Sequence, residues 1–485
     1  MQNRWKTVTL LALLILAGIT TVAAITGVWV LTAIPIGFLF GVFLEKSDLC
    51  GSSAFSEVIL TRDPRKVGGL WVAIAVSMAV FSAGSLLGWI QLSPKPFIWA
   101  NYLVGGVAFG VGIVLAGGCV SGCLFKAGQG NINSMAGLVG IPIGVAAVAY
   151  GPLKGLNTAL KAHVITASGG KSVTLSTVTG LPYWVLAVAI GLITLAAGLW
   201  LAKRGRTPGP RPAAGEDERL LQRIVRRPWK PWQSGIAIGV LGLLAFLSSA
   251  ASGRNYPLGV THGVLDVLVL ATDYPVDSVW TRNPAPAPPI APVKAAEKTR
   301  KNPRGHHGKH VLWWMLALVV SLVAGSHTSS KLRGSFHLKP KPPDETIIAF
   351  LGGILLGAGA AIASGCVIGN ILSGVALMSV GNILFAVVVI LANWATTYLY
   401  MMGGGAEQTM GSNLGHVPAK QARRAAGGSK VHGQRVTSCF LQNEIKPYHS
   451  AVLFPKPFSS VDRTLISPHS FPLDYPLDSC HALEP

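Results

Sequence analysis

Charge is what this sequence has least of. Only 12% of its 485 residues are Asp, Glu, Lys or Arg, acidic residues number 19, and half of the chain is hydrophobic, with a mean hydropathy of +0.50. A water-soluble chain of that composition would expose large apolar patches, so a soluble globular protein is excluded. Chemical signatures are missing as well. The loop Gly-x-x-x-x-Gly-Lys-Ser/Thr does not occur; its partial match Gly170-Lys171-Ser172 has Ile165 where the first glycine is required, so no ATP-binding fingerprint is present. No Cys-x-x-Cys pair occurs, and His306, His307 and His310 stand together without a Cys or carboxylate at ligand spacing, so neither metal nor cofactor is assigned. The formal net charge of +21 lies in the connections. Without a soluble, groove-reading domain beside it, that charge indicates anionic lipid and not nucleic acid.

What the chain does have is long uncharged runs. They cover 7–44, 67–94, 97–125, 127–153, 172–202, 231–253 and 346–406, against the roughly 20 residues that cross a bilayer as helix. An all-α polytopic membrane protein with about eight to ten hydrophobic segments is predicted, some of them short of a full crossing. The first apolar run is longer than a signal-peptide core and has no convincing cleavage site, so it reads as a retained span. Residues 203–230 carry nine basic side chains against Glu216, Asp217 and Glu218, which places this loop in the cytoplasm. The expected division is a first membrane half at 1–202, this basic loop, and a second half at 231–405 interrupted by a Pro-rich loop at 281–310. A polar tail at 406–485, with Cys439 and Cys480, is expected to be disordered and outside the mechanism.

The two halves share a sequence. VGGVAFGVGIVLAGGCVSG at 104–122 returns as LGGILLGAGAAIASGCVIG at 351–369, with nine of nineteen positions identical, including Cys119/Cys366, Gly118/Gly365 and Gly122/Gly369. Two pseudo-symmetric halves are expected, with short or broken helices at these Gly-Cys motifs, because glycine weakens a helix and lets backbone approach a ligand closely or adopt positive φ. Cys50 follows the polar stretch Glu45-Lys46-Ser47-Asp48-Leu49 and also marks a break. Setting Leu49-Cys50-Gly51 against Leu258-Gly259-Val260 puts Gly259 where the first half has its cysteine. A buried cysteine is ordinarily a small core hydrophobe, which is the plain alternative for each of these.

The paired Gly-Cys segments and the Cys50 segment resemble the YeeE/YedE-type sulfur transport family of bacterial inner-membrane proteins over roughly residues 30–403. The resemblance implies an hourglass-shaped permease for a small sulfur anion, thiosulfate first among them, with Cys50, Cys119 and Cys366 as the functional cysteines and Cys123 secondary. It also implies a possible cytoplasmic sulfur-carrier protein as partner. Gly118, Gly122, Gly365 and Gly369 complete the expected substrate site. Neutral thiols donate weak hydrogen bonds to a soft sulfur, and short helices opening at the breaks turn their positive ends to an anion. Lys46 and Lys126 are candidate electrostatic aids or simply snorkelling side chains. The alternatives are a membrane sulfurtransferase working through cysteine persulfides and a carrier of polysulfide or a selenium analogue.

Overall fold

A computed structural model describes residues 4–402 apart from 168–169, 171, 205–224, 226, 273–276 and 280–309. Most of the basic loop, the Pro-rich loop and the 406–485 tail therefore lie outside the described residues. The described part is helical, with ten stretches long and apolar enough to cross a membrane; this is an all-α, multi-pass membrane protein. Its helices are α1 (Arg4–Thr26), α2 (Ala33–Ser47), α3 (Gly51–Leu60), α4 (Arg65–Leu86), α5 (Trp99–Leu115), α6 (Val120–Gly128), α7 (Ile132–Ala149), α8 (Lys154–Lys161), α9 (Leu175–Thr179) and α10 (Tyr183–Arg204). They continue with α11 (Pro231–Ala251), α12 (Thr261–Thr272), α13 (Trp313–Arg333), α14 (Pro343–Ile362), α15 (Ser373–Ala376) and α16 (Val380–Thr397), and a π-helical turn Val367–Leu372 leads into α15. Two-residue strands pair Phe97–Ile98 with Val164–Ile165.

Small residues let the core helices touch. A Cβ on Gly112 of α5 would stand 2.5 Å from the Leu356 backbone nitrogen of α14, so these two helices pack backbone to backbone. That contact suits a membrane interior, where close van der Waals packing replaces the hydrophobic drive between helices. Helices α4 and α11, α2 and α13, and α7 and α14 pack together around the same centre. In contrast α1 and α10 bury little of their length, and exposed leucines such as Leu10, Leu14, Leu192 and Leu195 face outward. An apolar surface of that kind is matched by lipid.

Three long stretches do not run straight through. Helix α2 stops at Ser47 and restarts as α3, α5 restarts as α6, and α14 restarts in the π-turn and α15. Each of these breaks contains one residue in the left-handed region exactly two positions before a cysteine: Asp48 (φ 49°), Gly117 (φ 67°) and Ser364 (φ 56°). Of the two needs that a glycine beside the cysteine can meet, close approach or positive φ, the positive φ falls one residue earlier than Gly118 and Gly365 in both motifs. Only glycine enters that region without the Cβ penalty, so Asp48 and Ser364 mark places where the surrounding packing holds an L-residue in an uncommon conformation.

The breaks lie at two ends of the molecule. Trp229 donates its backbone N–H to Lys46 O at 2.9 Å and Gln129 reaches Glu45, so the α2–α3 and α5–α6 breaks belong to the end that receives the 203–230 connection. Helix α11 runs away from that end. Its far terminus meets the segment after α4, where Ser93 donates to Asn255 O, and Lys95 of the same segment reaches the α14 break.

Candidate functional site

The three cysteines occupy one kind of position. Cys50, Cys119 and Cys366 are each extended N-cap residues of the helix that follows, and each carbonyl accepts the first helical hydrogen bond, from Ala54, Cys123 and Asn370 at 2.7–2.8 Å. Helix α12 starts in the same way, with Val264 N–H donating to Val260 O at 3.2 Å. The residue standing where the other three breaks have cysteine is therefore Val260, one position beyond the Gly259 of the sequence alignment. Hydrogen-bond register fixes the helix start, and a glycine-tolerant alignment does not reveal it.

Cys50 and Cys119 come together. Their Sγ atoms are 3.7 Å apart, and Cys119 Sγ is 3.3 Å from the Ser121 hydroxyl. Each thiol is about 1% exposed. Gly122, one turn after Cys119, is required for this approach, because a Cβ there would overlap Cys50 Sγ and stand 3.5 Å from Cys119 Sγ. Cys366 comes from the opposite end and joins the same centre through its neighbour, since a Cβ on Gly51 would lie 2.8 Å from Val367. A cavity of about 10 Å³ lies beside Cys50, lined by Cys50, Gly51, Ser121, Val367, Ile368 and apolar side chains of α2, α3, α4 and α11; that is room for roughly one water. Of the expected functional cysteines only Cys50 lines it.

The Cys366 break is braced by polar groups that sequence reasoning passed over. Asn370 donates to Ala363 O and Gly365 O at 3.0 Å, and Lys95 Nζ donates to Ser364 O at 2.6 Å and to Asn370 Oδ1 at 2.7 Å. A Cβ on Gly365 would stand 2.6 Å from Asn370 Oδ1 and 2.9 Å from Lys95 Nζ, so this glycine is needed for space and not for its φ. Tyr256 donates its hydroxyl to Gly369 O at 2.6 Å, while its ring lies 4.9 Å from Lys95 Nζ and 5.6 Å from the Arg254 guanidinium. Among the described residues neither Lys95 nor Arg254 forms an ion pair with a carboxylate. Burial first, and the neighbouring Arg254 charge second, push Lys95 down to about 7. Gly369 differs from its counterpart Gly122: a Cβ there would meet nothing within 4 Å, although the residue is buried.

Sequence signals for these groups exist in part. Lys95 is the sole charged residue between Lys66 and Lys126, and Arg254 follows an uncharged run. Ser121 sits inside the repeat but pairs with Ile368, so the repeat hides it. Of the two lysines singled out by sequence, Lys126 donates to Gly117 O at 2.9 Å and ties off the Cys119 break, and Lys46 donates to Val225 O at 2.6 Å. Cys123 points back into its own turn, toward Gly118 O at 3.6 Å. No group of three or more His, Cys, Asp or Glu side chains suited to a metal occurs among the described residues.

Comparison with known proteins finds relatives along most of the chain. The thiosulfate transporter TsuA of Spirochaeta thermophila is 26% identical over 380 residues, covering 76% of this chain and 98% of the relative. TsuA of Escherichia coli is 27% identical over 375 residues, covering 76% and 94%. The probable transporter YedE of Escherichia coli is 36% identical over a shorter stretch of 121 residues, 24% of this chain and 29% of that protein. Residues 46–395, which contain all three capping cysteines and both ends of the molecule, match the family described as Sulphur transport, and the chain belongs to that family.

Proposed function

We propose that the chain is a permease that takes up thiosulfate, with Cys50, Cys119, Cys366 and the glycines Gly118, Gly122, Gly365 and Gly369 forming its passage. The observation that carries this reading is the meeting of Cys50 and Cys119 at 3.7 Å beside a constricted cavity, with the Cys366 segment abutting it from the other end. Two long relatives bear the name thiosulfate transporter. Thiosulfate is a dianion with a soft terminal sulfur and a hard, oxygen-bearing end. Lys95 and Arg254, which have no carboxylate partner among the described residues, suit the dianion on arrival, at the end opposite the 203–230 connection; by the excess of basic residues in that connection the arrival side is extracellular. The first N–H groups of the half-helices that start at the cysteines supply partial positive charge at the centre. Cys50 S–H and Ser121 O–H are the polar side-chain donors on the cavity wall, one suited to sulfur and the other to oxygen.

A transporter and not a sulfurtransferase is favoured by the partners of the thiols. Cys50 bonds to Cys119, and Cys119 to Cys50 and Ser121, whereas an activated nucleophile is held by a base. The test is growth of a sulfur-auxotrophic bacterium expressing this chain, with thiosulfate, a polysulfide or a selenium analogue supplied in turn, alongside uptake of labelled thiosulfate. Growth on thiosulfate without label left on the protein supports the permease. Label retained covalently after turnover would establish the transferase in its place, and growth on another compound alone would reassign the cargo.

A further inference from the structure

The contact that defines the neck of this protein also has a chemistry of its own. We propose that Cys50 and Cys119 are a redox-active dithiol, forming a reversible disulfide with a peroxide-class oxidant and thereby closing the passage.

Among the four cysteines of the described residues the geometry favours this pair. The two sulfurs are in contact at 3.7 Å although the residues are 69 apart in sequence, and a disulfide needs about 2.05 Å, so a closure of about 1.7 Å suffices. Each cysteine caps a short helix after a turn, and no side chain stands between them. The one backbone position where a Cβ would intervene is Gly122. Cys123 competes poorly, because its sulfur is directed at the carbonyls of Gly118 and Ala116. All four cysteines of the described residues are free thiols in this state.

The chemistry balances. One thiol sulfur attacks an oxygen of hydrogen peroxide, the O–O bond breaks, and the products are a sulfenic acid and one water. The second thiol sulfur then attacks the sulfenic sulfur and displaces hydroxide, which takes the thiol proton and leaves as a second water. In sum two thiols and one hydrogen peroxide give one disulfide and two waters; the sulfurs lose two electrons and the peroxide oxygens gain them. Burial of both thiols limits the reaction to small oxidants that travel the passage itself.

Closure follows from where Cys50 stands. Its sulfur lines the cavity of about 10 Å³, and bonding to Cys119 removes the cavity's S–H donor and ties α3 to α6 across the neck. The effect on transport rests on the permease reading, whereas the bond itself does not, and one experiment separates them. Membranes containing the full chain are exposed to hydrogen peroxide, denatured in the presence of N-ethylmaleimide so that every remaining thiol is alkylated, and digested, and peptides are weighed in parallel with labelled thiosulfate uptake by membranes treated with peroxide alone. The expected result is a joined Cys50–Cys119 peptide two hydrogens lighter than its parts, in wild type and in Cys123→Ser alike, with Cys366 still alkylated. Uptake is expected to fall at least tenfold and to return on treatment with dithiothreitol. Alkylated Cys50 and Cys119 after peroxide would overturn the proposal, and so would a joined peptide with unchanged uptake. If the reduced protein takes up no thiosulfate at all, the transport reading falls, and the peptide masses still decide whether the dithiol forms.

Discussion

A single methyl group placed at two corresponding glycines separates packing from passage. At Gly122 a Cβ would overlap Cys50 Sγ and stand 3.5 Å from Cys119 Sγ, so the Cys50 thiol, which lines the cavity, must move. At Gly369 the same methyl meets nothing within 4 Å. Overpacking a tight interior by one carbon costs about 1–3 kcal/mol. If that strain is borne while the cargo crosses the neck, the rate falls tenfold for each 1.36 kcal/mol, or about 5- to 150-fold in all. Gly122→Ala is therefore expected to lose most uptake while remaining in the membrane. Gly369→Ala is expected to fold as wild type, and any loss of uptake in it then reports that the open space is travelled by the cargo. The assay is initial-rate uptake of labelled thiosulfate, normalised to protein quantified in the membrane. Wild-type rates in Gly122→Ala would refute the neck at Cys50 and Cys119, since no transported ion could pass a constriction that absorbs an overlapping methyl without effect.

Other outcomes follow from the same geometry. Cys119→Ala and Cys366→Ala are each expected to abolish uptake at normal membrane levels, and wild-type uptake in both would reduce the thiols to core packing. Protonated Lys95 attracts the dianion, and its value of about 7 means that the charge is present below pH 7 and lost above it; KM for thiosulfate should rise as pH passes 7, and Lys95→Arg, which stays charged, should flatten that rise. A KM without pH dependence in wild type would remove Lys95 from the site. Ser121→Ala is expected to raise KM severalfold, with partial recovery in Ser121→Thr, as steady-state uptake will tell. Gly365→Val should impair uptake through Asn370 and Lys95, which stand 2.6 and 2.9 Å from the added Cβ, and full activity would mean the α14 break tolerates a rebuilt brace.

Much of this architecture was legible in the chain because the bilayer simplifies the code. Uncharged runs reported the spans, and breaks at the three cysteines were marked by glycine or by the polar stretch Glu45–Asp48. What could not be read was which residue turns. Ser364 adopts positive φ although its residue type does not announce it, Asp48, of a type that visits that region, does so without a glycine beside it, and the register of α12 slipped by one because Gly259 resembles a break glycine while Val260 supplies the first carbonyl. Lys95 was visible as a lone charge, but its partner Asn370 lies 275 residues away, a relation no local pattern carries. Ser121 was masked by the very repeat that exposed Cys119.

The distribution of polar groups along the molecule has an electrostatic logic. A unit charge pair at 4 Å is worth about 4 kcal/mol at an effective dielectric of 20, so a dianion beside one fixed ammonium is held by about 8 kcal/mol. At the neck such a well would slow departure by roughly a millionfold, which defeats passage. At the mouth it is tempered, since Lys95 and Arg254 are half-buried and Lys95 shares its protons with Ser364 O and Asn370 Oδ1. The cavity wall at the neck holds a thiol and a hydroxyl, and the Lys126 ammonium beside the Cys119 break is tied to Gly117 O. Each neutral hydrogen bond contributes on the order of 1 kcal/mol, enough to replace part of the lost hydration and too little to trap the ion. Replacing Cys50 by a lysine would therefore strengthen binding and weaken transport, and that inverse relation is what distinguishes a passage lined for transit from a site built for capture.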